Sequence, residues 1–248
     1  MRFSDTLRRW WPLALILVLS TGIRLFHLGN QGLFMDEAVS WAVSRLSPRD
    51  IMGASEFNHH VPLYFFLLKL AMMVLPSTEA GVRTLSVVAS ATALIAVLIF
   101  LKTEWSLAAA VYAGILMALS SFDLYYAQET RMYTLLAAAW IISYISLVKA
   151  LQGKSGFLVV WAIAMIVMPW THLYGFLLVG TNLVFVAGYL VLKRVYRFAS
   201  SLDDHWLLVA SVAVVVGILP MVRLLLLNSD ANSQGASISG LGDILELY

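Results

Sequence analysis

The amino-acid sequence predicts an all-α membrane protein, a polytopic helical bundle with about seven transmembrane helices. The 248-residue chain is 61% hydrophobic and 12% charged, and its mean hydropathy of +0.86 is far above that of a soluble domain. Its apolar runs approach the roughly 20 helical residues that cross about 30 Å of hydrocarbon. The net charge of +2 is too small to indicate nucleic-acid binding, and zero cysteines exclude disulfides and thiolate metal ligands.

Seven apolar segments are predicted to span the membrane, at about residues 11–28, 84–101, 105–122, 132–148, 157–171, 173–192 and 206–227. The first segment follows Arg8 and Arg9 and lacks a small-residue cleavage site, so we expect a retained helix and not a signal peptide. An eighth run, Val61 to Leu75, is shorter and contains Lys69.

The positions of Lys and Arg decide whether this eighth run crosses the membrane. If it does not cross, and the N-terminus is cytoplasmic, the basic residues on the cytoplasmic side are Lys102, Lys149, Lys154, Lys193, Arg194 and Arg197. If it crosses, only Arg83 and Arg131 lie inside. Because cytoplasmic loops are enriched in Lys and Arg, we expect an interfacial or re-entrant helix at the outer surface. The protein is then predicted to be a multi-pass protein of the inner or plasma membrane.

This topology places a long first outer loop at residues 29–83 and a second outer loop at 123–132. The first loop contains two segments with the pattern of short amphipathic surface helices, Glu37 to Leu46 and Pro48 to Phe57. A smaller outer patch runs from Thr171 to Tyr174.

The domain organisation follows from the same topology. Residues 1–227 are predicted to form one transmembrane module. The polar segment 228–248 is expected to be an outer tail that leads into a further C-terminal part.

The pair Asp36-Glu37 follows the first span in the segment GLFMDEA. Two carboxylates at the start of a helix are stabilised by the helix dipole and by free N–H groups, which favours a role as an N-terminal cap. Alternatively, Asp36 is a general base, and Glu37 orients a metal ion or an acceptor group. The residues alone leave both roles open.

The segment YYAQETRMY concentrates polar and aromatic side chains in the second outer loop. Arg131 offers a planar, permanently charged fork that suits a phosphate, and its neighbours include Tyr126, Gln128 and Glu129. The alternative is an interfacial aromatic belt with a weak Glu129–Arg131 surface pair. Arg83, at the outer mouth of its span, is predicted to contact a headgroup or phosphate and not to form a buried ion.

The histidines raise the question of a divalent metal ion, the one cofactor that the sequence suggests. Imidazole and carboxylate are ordinary Zn or Mn ligands, so Glu37, His60 and His172 are the candidate metal ligands. Adjacent histidines such as His59 and His60 rarely point into one site, which favours a capping role for the helix after Pro62.

Five motifs resemble those of the bacterial GT-C glycosyltransferases in order and spacing across residues 29–178: GLFMDEA, HHVPLYFFLLKL, EAGVRTLSVVAS, YYAQETRMYTL and THLYGFLL. The branch they are similar to comprises the protein O-mannosyltransferases (glycosyltransferase family 39) and the aminoarabinose lipid A transferases. Where the family has His-Pro-Pro, this chain has His60-Val61-Pro62. One proline is missing, so the local backbone is expected to differ from that of the family. Members of this family commonly continue through several more spans and often a soluble outer domain.

The resemblance implies an inverting enzyme that takes a sugar from a polyprenyl-phosphate donor. The sugar passes to a lipid, glycan or protein acceptor on the outer face of the membrane. It implies that Asp36 is the catalytic base, with Glu37 beside it and Glu129 as a further catalytic carboxylate. The implied contacts of the donor phosphate are Arg131, Arg83, Gln128 and Tyr126. Two alternatives stand beside this function: a lipid-linked sugar transporter and a truncated, non-catalytic membrane protein.

Overall fold

A computed structural model describes the backbone of residues 3–57, 61–196 and 201–233, and every regular element in these ranges is an α-helix. The predicted all-α class is confirmed for this part of the chain. The helices are α1 (Phe3–Leu25), α2 (Met35–Arg45), α3 (Pro48–Phe57), α4 (Leu63–Met72), α5 (Glu79–Glu104), α6 (Leu107–Ala118), α7 (Ser121–Ala127), α8 (Tyr133–Leu151), α9 (Phe157–Thr171), α10 (Tyr174–Tyr196) and α11 (Asp204–Ser233).

Four described helices are long and apolar enough to cross a membrane, namely α5, α8, α10 and the Asp204–Leu226 part of α11. Helices α6 and α7 meet at a 60° bend and count together as a fifth. The other two predicted spans lie in shorter apolar helices, Trp10–Leu25 within α1 and the 15 residues of α9. All seven predicted segments are therefore helical, and four or five of them qualify as spans by length and composition.

The two amphipathic segments predicted in the first outer loop form α2 and α3, and the short apolar run forms α4. Helix α4 has ten residues, about 15 Å of helix, which is half of the roughly 30 Å of hydrocarbon. It packs on α2 and α5 and buries Tyr64, Phe65 and Leu68. Its Lys69 caps the C-terminal end of α2, where Nζ donates to backbone carbonyls, with that of Leu46 nearest at 2.7 Å.

Polar groups gather at both ends of the pair formed by α5 and α8. At one end, Ser86 Oγ of α5 donates to the carbonyl of Arg131, just before α8. At the other end, Lys149 forms an ion pair with Glu104. The two helices therefore run in the same direction. From Arg83 to the last turn of α5 is about 28 Å of helix, close to the roughly 30 Å of a hydrocarbon core.

A buried arginine joins α1 to the bent pair of α6 and α7. Arg24 is 1% exposed, and all five of its N–H groups have acceptors. These acceptors are the hydroxyl of Ser90, the carbonyl and hydroxyl of Ser20, the carbonyl of Met117 and the carboxylate of Asp123. The Arg24–Asp123 ion pair therefore holds α7 in place at the bend.

Candidate active site at one end of the bundle

Three segments meet where α5 and α8 begin: the N-terminal turn of α2, the first turns of α5, and the connector 128–132 between α7 and α8. Helix α2 starts after Phe34, whose extended backbone is the N-cap. The Phe34 N–H donates to Glu37 Oε2 at 3.4 Å, which is the returning half of a capping box. The predicted capping role is therefore confirmed for Glu37.

Glu37 is completely buried and forms a bidentate ion pair with Arg83. Arg83 Nε donates to Glu37 Oε1 at 2.9 Å, and Nη2 donates to Oε2 at 2.7 Å. Glu37 Oε1 also accepts the Thr130 N–H at 2.7 Å, which ties the connector to α2. The other N–H groups of Arg83 donate to the carbonyls of Leu28, Gln31 and Gly32.

This geometry contradicts the roles predicted for Arg83 and Glu37. Arg83 is 5% exposed and all five of its N–H groups are used, so it is a buried ion with no donor left for a phosphate. Each carboxylate oxygen of Glu37 accepts two hydrogen bonds, which leaves no lone pair for a metal ion or a reacting proton. Both residues hold two segments in place, namely the loop before α2 and the connector 128–132.

The buried pair makes the stability of the protein depend on pH. Burial by itself raises the pKa of Glu37, but the hydrogen bonds from Arg83 and the Thr130 amide outweigh it and the net pKa is lowered from 4.5. A carboxyl with a lowered pKa in the folded state stabilises the fold above its unfolded pKa, and this stability is lost as the pH falls through the folded value.

We therefore expect the thermal stability of the detergent-solubilised protein to fall as the pH drops below about 4.5. In Glu37→Gln, which cannot ionise at this position, part of that acid dependence should be absent. Melting temperatures measured between about pH 3 and 7 for both proteins check this. Parallel curves would contradict the linkage.

Asp36 is the open member of the carboxylate pair. Its side chain is 63% exposed, and its Oδ2 lies 3.7 Å from Arg131 Nη2. Arg131 is itself 6% exposed, and its Nη1 donates to the Asp36 carbonyl at 3.3 Å. Within the described part of the chain this is the one hydrogen bond that the guanidinium makes, so most of its N–H groups have no protein acceptor. This arrangement places an exposed carboxylate beside a buried cation that has donors to spare within the described residues.

Glu129 lies on the wall of a cleft of about 330 Å³ between the end of α1 and the connector. Burial raises the pKa of its carboxyl; a hydrogen bond from Tyr125 opposes this, and the charge of Glu37 adds to it, so the net pKa is raised. A carboxyl of this kind is better suited to exchanging a proton than an ordinary glutamate. The predicted alternative of a Glu129–Arg131 surface pair is wrong, since both residues are buried and Arg131 pairs with Asp36.

Gln128 was predicted to contact the donor phosphate, but its amide nitrogen is already engaged. Nε2 donates to the carbonyls of Arg24 at 3.1 Å and Phe26 at 3.0 Å, the free carbonyls at the end of α1. Gln128 therefore caps α1 and fixes the start of the connector. This contradicts a role for its amide as a phosphate donor.

Aromatic rings link Arg131 to two other predicted site residues. The ring of Tyr133 lies under the Arg131 guanidinium at 5.8 Å. It also contacts Tyr126 and His172, at centroid distances of 4.5 and 5.5 Å. His172 Nδ1 accepts the Tyr174 N–H at 3.0 Å, and burial together with the charge of Arg131 lowers the pKa of this imidazole. Tyr126 and His172 therefore share one aromatic wall beside Arg131.

Of the three candidate metal ligands, the structure describes Glu37 and His172. The carboxylate oxygens of Glu37 are fully occupied by hydrogen bonds. His59 and His60 lie outside the described residues, and so do residues 234–248 of the predicted tail. In the described ranges no group of three or more His, Cys, Asp or Glu side chains is placed to hold a metal ion.

Three residues near the site were missed by sequence reasoning: Arg24, His27 and Asn30. A charged residue inside an apolar span is itself a signal of a partner or a function, and Arg24 carried that signal. His27 and Asn30 lie just beyond α1 and line the same cleft as Glu129. No local pattern distinguishes them from an ordinary polar turn.

Comparisons of the chain with protein-family models, curated proteins and solved structures find no match.

Proposed function

We propose that this protein is an integral membrane glycosyltransferase that moves a sugar, with inversion, from a polyprenyl-phosphate donor to an acceptor on the outer face of the membrane. The observation that carries the proposal is the Asp36–Arg131 pair, in which a 63% exposed carboxylate lies 3.7 Å from a guanidinium that donates one hydrogen bond within the described residues. The reaction requires a base for the acceptor hydroxyl and a cation for the phosphate on opposite faces of the reacting sugar. Donor binding must therefore separate the two side chains, which the long 3.7 Å contact and the exposed Asp36 side chain allow.

In the proposed reaction the acceptor hydroxyl attacks the anomeric carbon of the donor sugar. Its proton passes to Asp36 as the new carbon–oxygen bond forms. The bond from the anomeric carbon to the phosphate oxygen breaks on the opposite face, and its electron pair leaves with the polyprenyl phosphate. Arg131 stabilises the charge that develops on the phosphate. Positive charge develops on the sugar ring between the two groups, as in other inverting transfers.

Glu129 supports the same chemistry from the cleft. Its carboxyl feels the charges of both Arg131 and Asp36, in addition to the burial that raises its pKa. With its raised pKa, Glu129 is suited to hydrogen-bond a sugar hydroxyl or to share a proton with the acceptor. The aromatic wall of Tyr126 and Tyr133 gives the beginning of the polyprenyl chain an apolar surface beside the phosphate.

The charge distribution supports an outward-facing site. Lys102, Lys149 and Lys193 lie in the last turns of α5, α8 and α10, at the ends opposite the Asp36–Arg131 pair. Because cytoplasmic ends are enriched in Lys and Arg, this distribution favours an orientation with the basic ends in the cytoplasm and the site on the periplasmic or outer side. In this proposal the partners are a polyprenyl-phosphate sugar, a lipid, glycan or protein acceptor, and membrane lipids.

A lipid-linked sugar transporter is the second candidate function. The bend of 60° between α6 and α7 favours it, because broken helices are common at transporter substrate sites. Transporters place such sites near the middle of the bilayer, however, whereas Arg24 and Asp123 lie next to the end of α1.

The experiment that tests the proposed function uses membranes containing the full chain and a panel of polyprenyl-phosphate sugars. We expect release of polyprenyl phosphate from at least one donor, in amounts that rise with time and with added acceptor. Membranes from cells without the protein are the control. If no donor of the panel gives release above that control, the proposed function is wrong.

A further inference from the structure

The cleft beside Glu129 contains an imidazole that the proposed reaction does not use. His27 lines this cleft, which is also lined by Leu28, Asn30, Gln31, Phe34, Arg83, Tyr125, Gln128 and Glu129. Most of these side chains carry a hydrogen-bonding group, and Arg83 has all of its donors engaged elsewhere. The cleft therefore offers neutral donors and acceptors together with one carboxyl group.

The backbone of His27 adopts a conformation that is unfavourable for a residue with a side chain. Its φ is 57°, in the left-handed region, and it is the one non-glycine residue with positive φ in the described ranges. It lies two residues after the last residue of α1, where glycine is the usual helix terminator. A glycine would adopt this conformation without strain, so the backbone gives no reason for a histidine here.

A neighbouring amide fixes the imidazole. The Asn30 side-chain nitrogen lies 2.7 Å from His27 Nδ1. An amide nitrogen only donates, so Nδ1 accepts and the neutral ring carries its proton on Nε2. The ring also packs on Phe26 at a centroid distance of 4.0 Å. Nε2–H is thus the free donor of an imidazole that lines the cleft.

We infer that His27 is a specificity-determining residue that donates through Nε2 to a hydroxyl of the donor's sugar ring. A polyhydroxylated ring needs several donors and acceptors around it, which Glu129, Gln31 and Tyr125 add to His27. At about 330 Å³ the cleft is at the small end of the roughly 300–1,000 Å³ of ligand pockets, which suits one ring and not an oligosaccharide. The inference rests on the proposed function, because it takes that ring from the polyprenyl-phosphate sugar.

The test compares two ligands on the full chain in detergent: short-chain prenyl-phosphate monosaccharides carrying mannose, glucose or aminoarabinose, and the same prenyl phosphate without a sugar. His27→Gly removes the imidazole and keeps the backbone favourable, so its melting temperature should equal or exceed that of the unmodified protein. Its Kd for the preferred sugar ligand should rise about 2- to 10-fold, the effect of one neutral hydrogen bond. Its Kd for the bare prenyl phosphate should stay within about twofold, the lower limit of that same effect.

Asn30→Ala is a second variant, expected to shift binding of the sugar ligand in the same direction because the imidazole loses its partner. An unchanged Kd for the sugar ligand in His27→Gly would overturn the inference and leave the proposed function standing. An equal loss for both ligands would also overturn it, since that result indicates a general structural role. If the unmodified protein binds and transfers none of the sugars, the proposed function fails and the inference with it.

Discussion

Asp36→Asn is expected to lower sugar transfer by about 10²- to 10⁴-fold, the usual contribution of a general base. The amide is close in size to the carboxylate but cannot accept the acceptor's proton. The fold should not change, because the side chain is 63% exposed and its ion pair with Arg131 is long, at 3.7 Å. Only Arg131 is buried in this pair, and Asp36 stays in contact with water, so we expect the loss of the contact to cost about 1 kcal/mol or less. Initial rates of polyprenyl-phosphate release and the melting temperature are the two measurements.

The matched control for this variant is Asp203→Asn, an exposed aspartate in the turn before α11. It makes the same chemical change away from the Asp36–Arg131 pair and should transfer sugar at the normal rate. If Asp36→Asn were as active as this control, Asp36 would not be the base.

Arg83→Met is expected to lower the free energy of unfolding by about 3–5 kcal/mol, because it leaves the Glu37 carboxylate buried without its partner. The change also removes the donors that hold the loop before α2. Adding Glu37→Met removes the uncompensated charge, so the double variant should be more stable than Arg83→Met. Denaturant unfolding in detergent, followed by helix content, gives the free energy of unfolding of the unmodified protein, of Arg83→Met and of the double variant.

Arg194→Met is the control for this series, since Arg194 is an exposed basic residue in the last turn of α10. Substitutions at such surface positions usually change stability by less than about 0.5 kcal/mol. A loss in Arg83→Met as small as that of the control would show that the buried pair does not hold the site together.

Local sequence patterns predicted the elements of the fold well. Apolar periodicity located the seven long segments and the two amphipathic helices, because each pattern is set by residues three or four positions apart. The number of membrane spans was harder to predict from the sequence, because the bend between α6 and α7 depends on Arg24, which lies in α1.

Sequence reasoning singled out the segments that the structure brings together at the candidate site, but it did not predict which of their side chains are buried and which are exposed. Asp36 and Glu37 are adjacent and chemically similar, and only the packing of α5 buries one and exposes the other. The partner of Glu37 is Arg83, 46 positions away, and no local pattern encodes that contact. The same reason explains the error for Gln128, whose acceptor carbonyls at and just after the end of α1 are about 100 positions distant.

The most direct test of the central claim is the appearance of polyprenyl phosphate when purified, detergent-solubilised protein is mixed with its donor and an acceptor. Detergent removes the two sides of the membrane, so a transporter gives no chemical product under these conditions. We predict release of polyprenyl phosphate and formation of a glycosylated acceptor with inverted anomeric configuration, both lost in Asp36→Asn. Donor that stays intact with the solubilised protein, yet moves across vesicles containing it, would contradict the account.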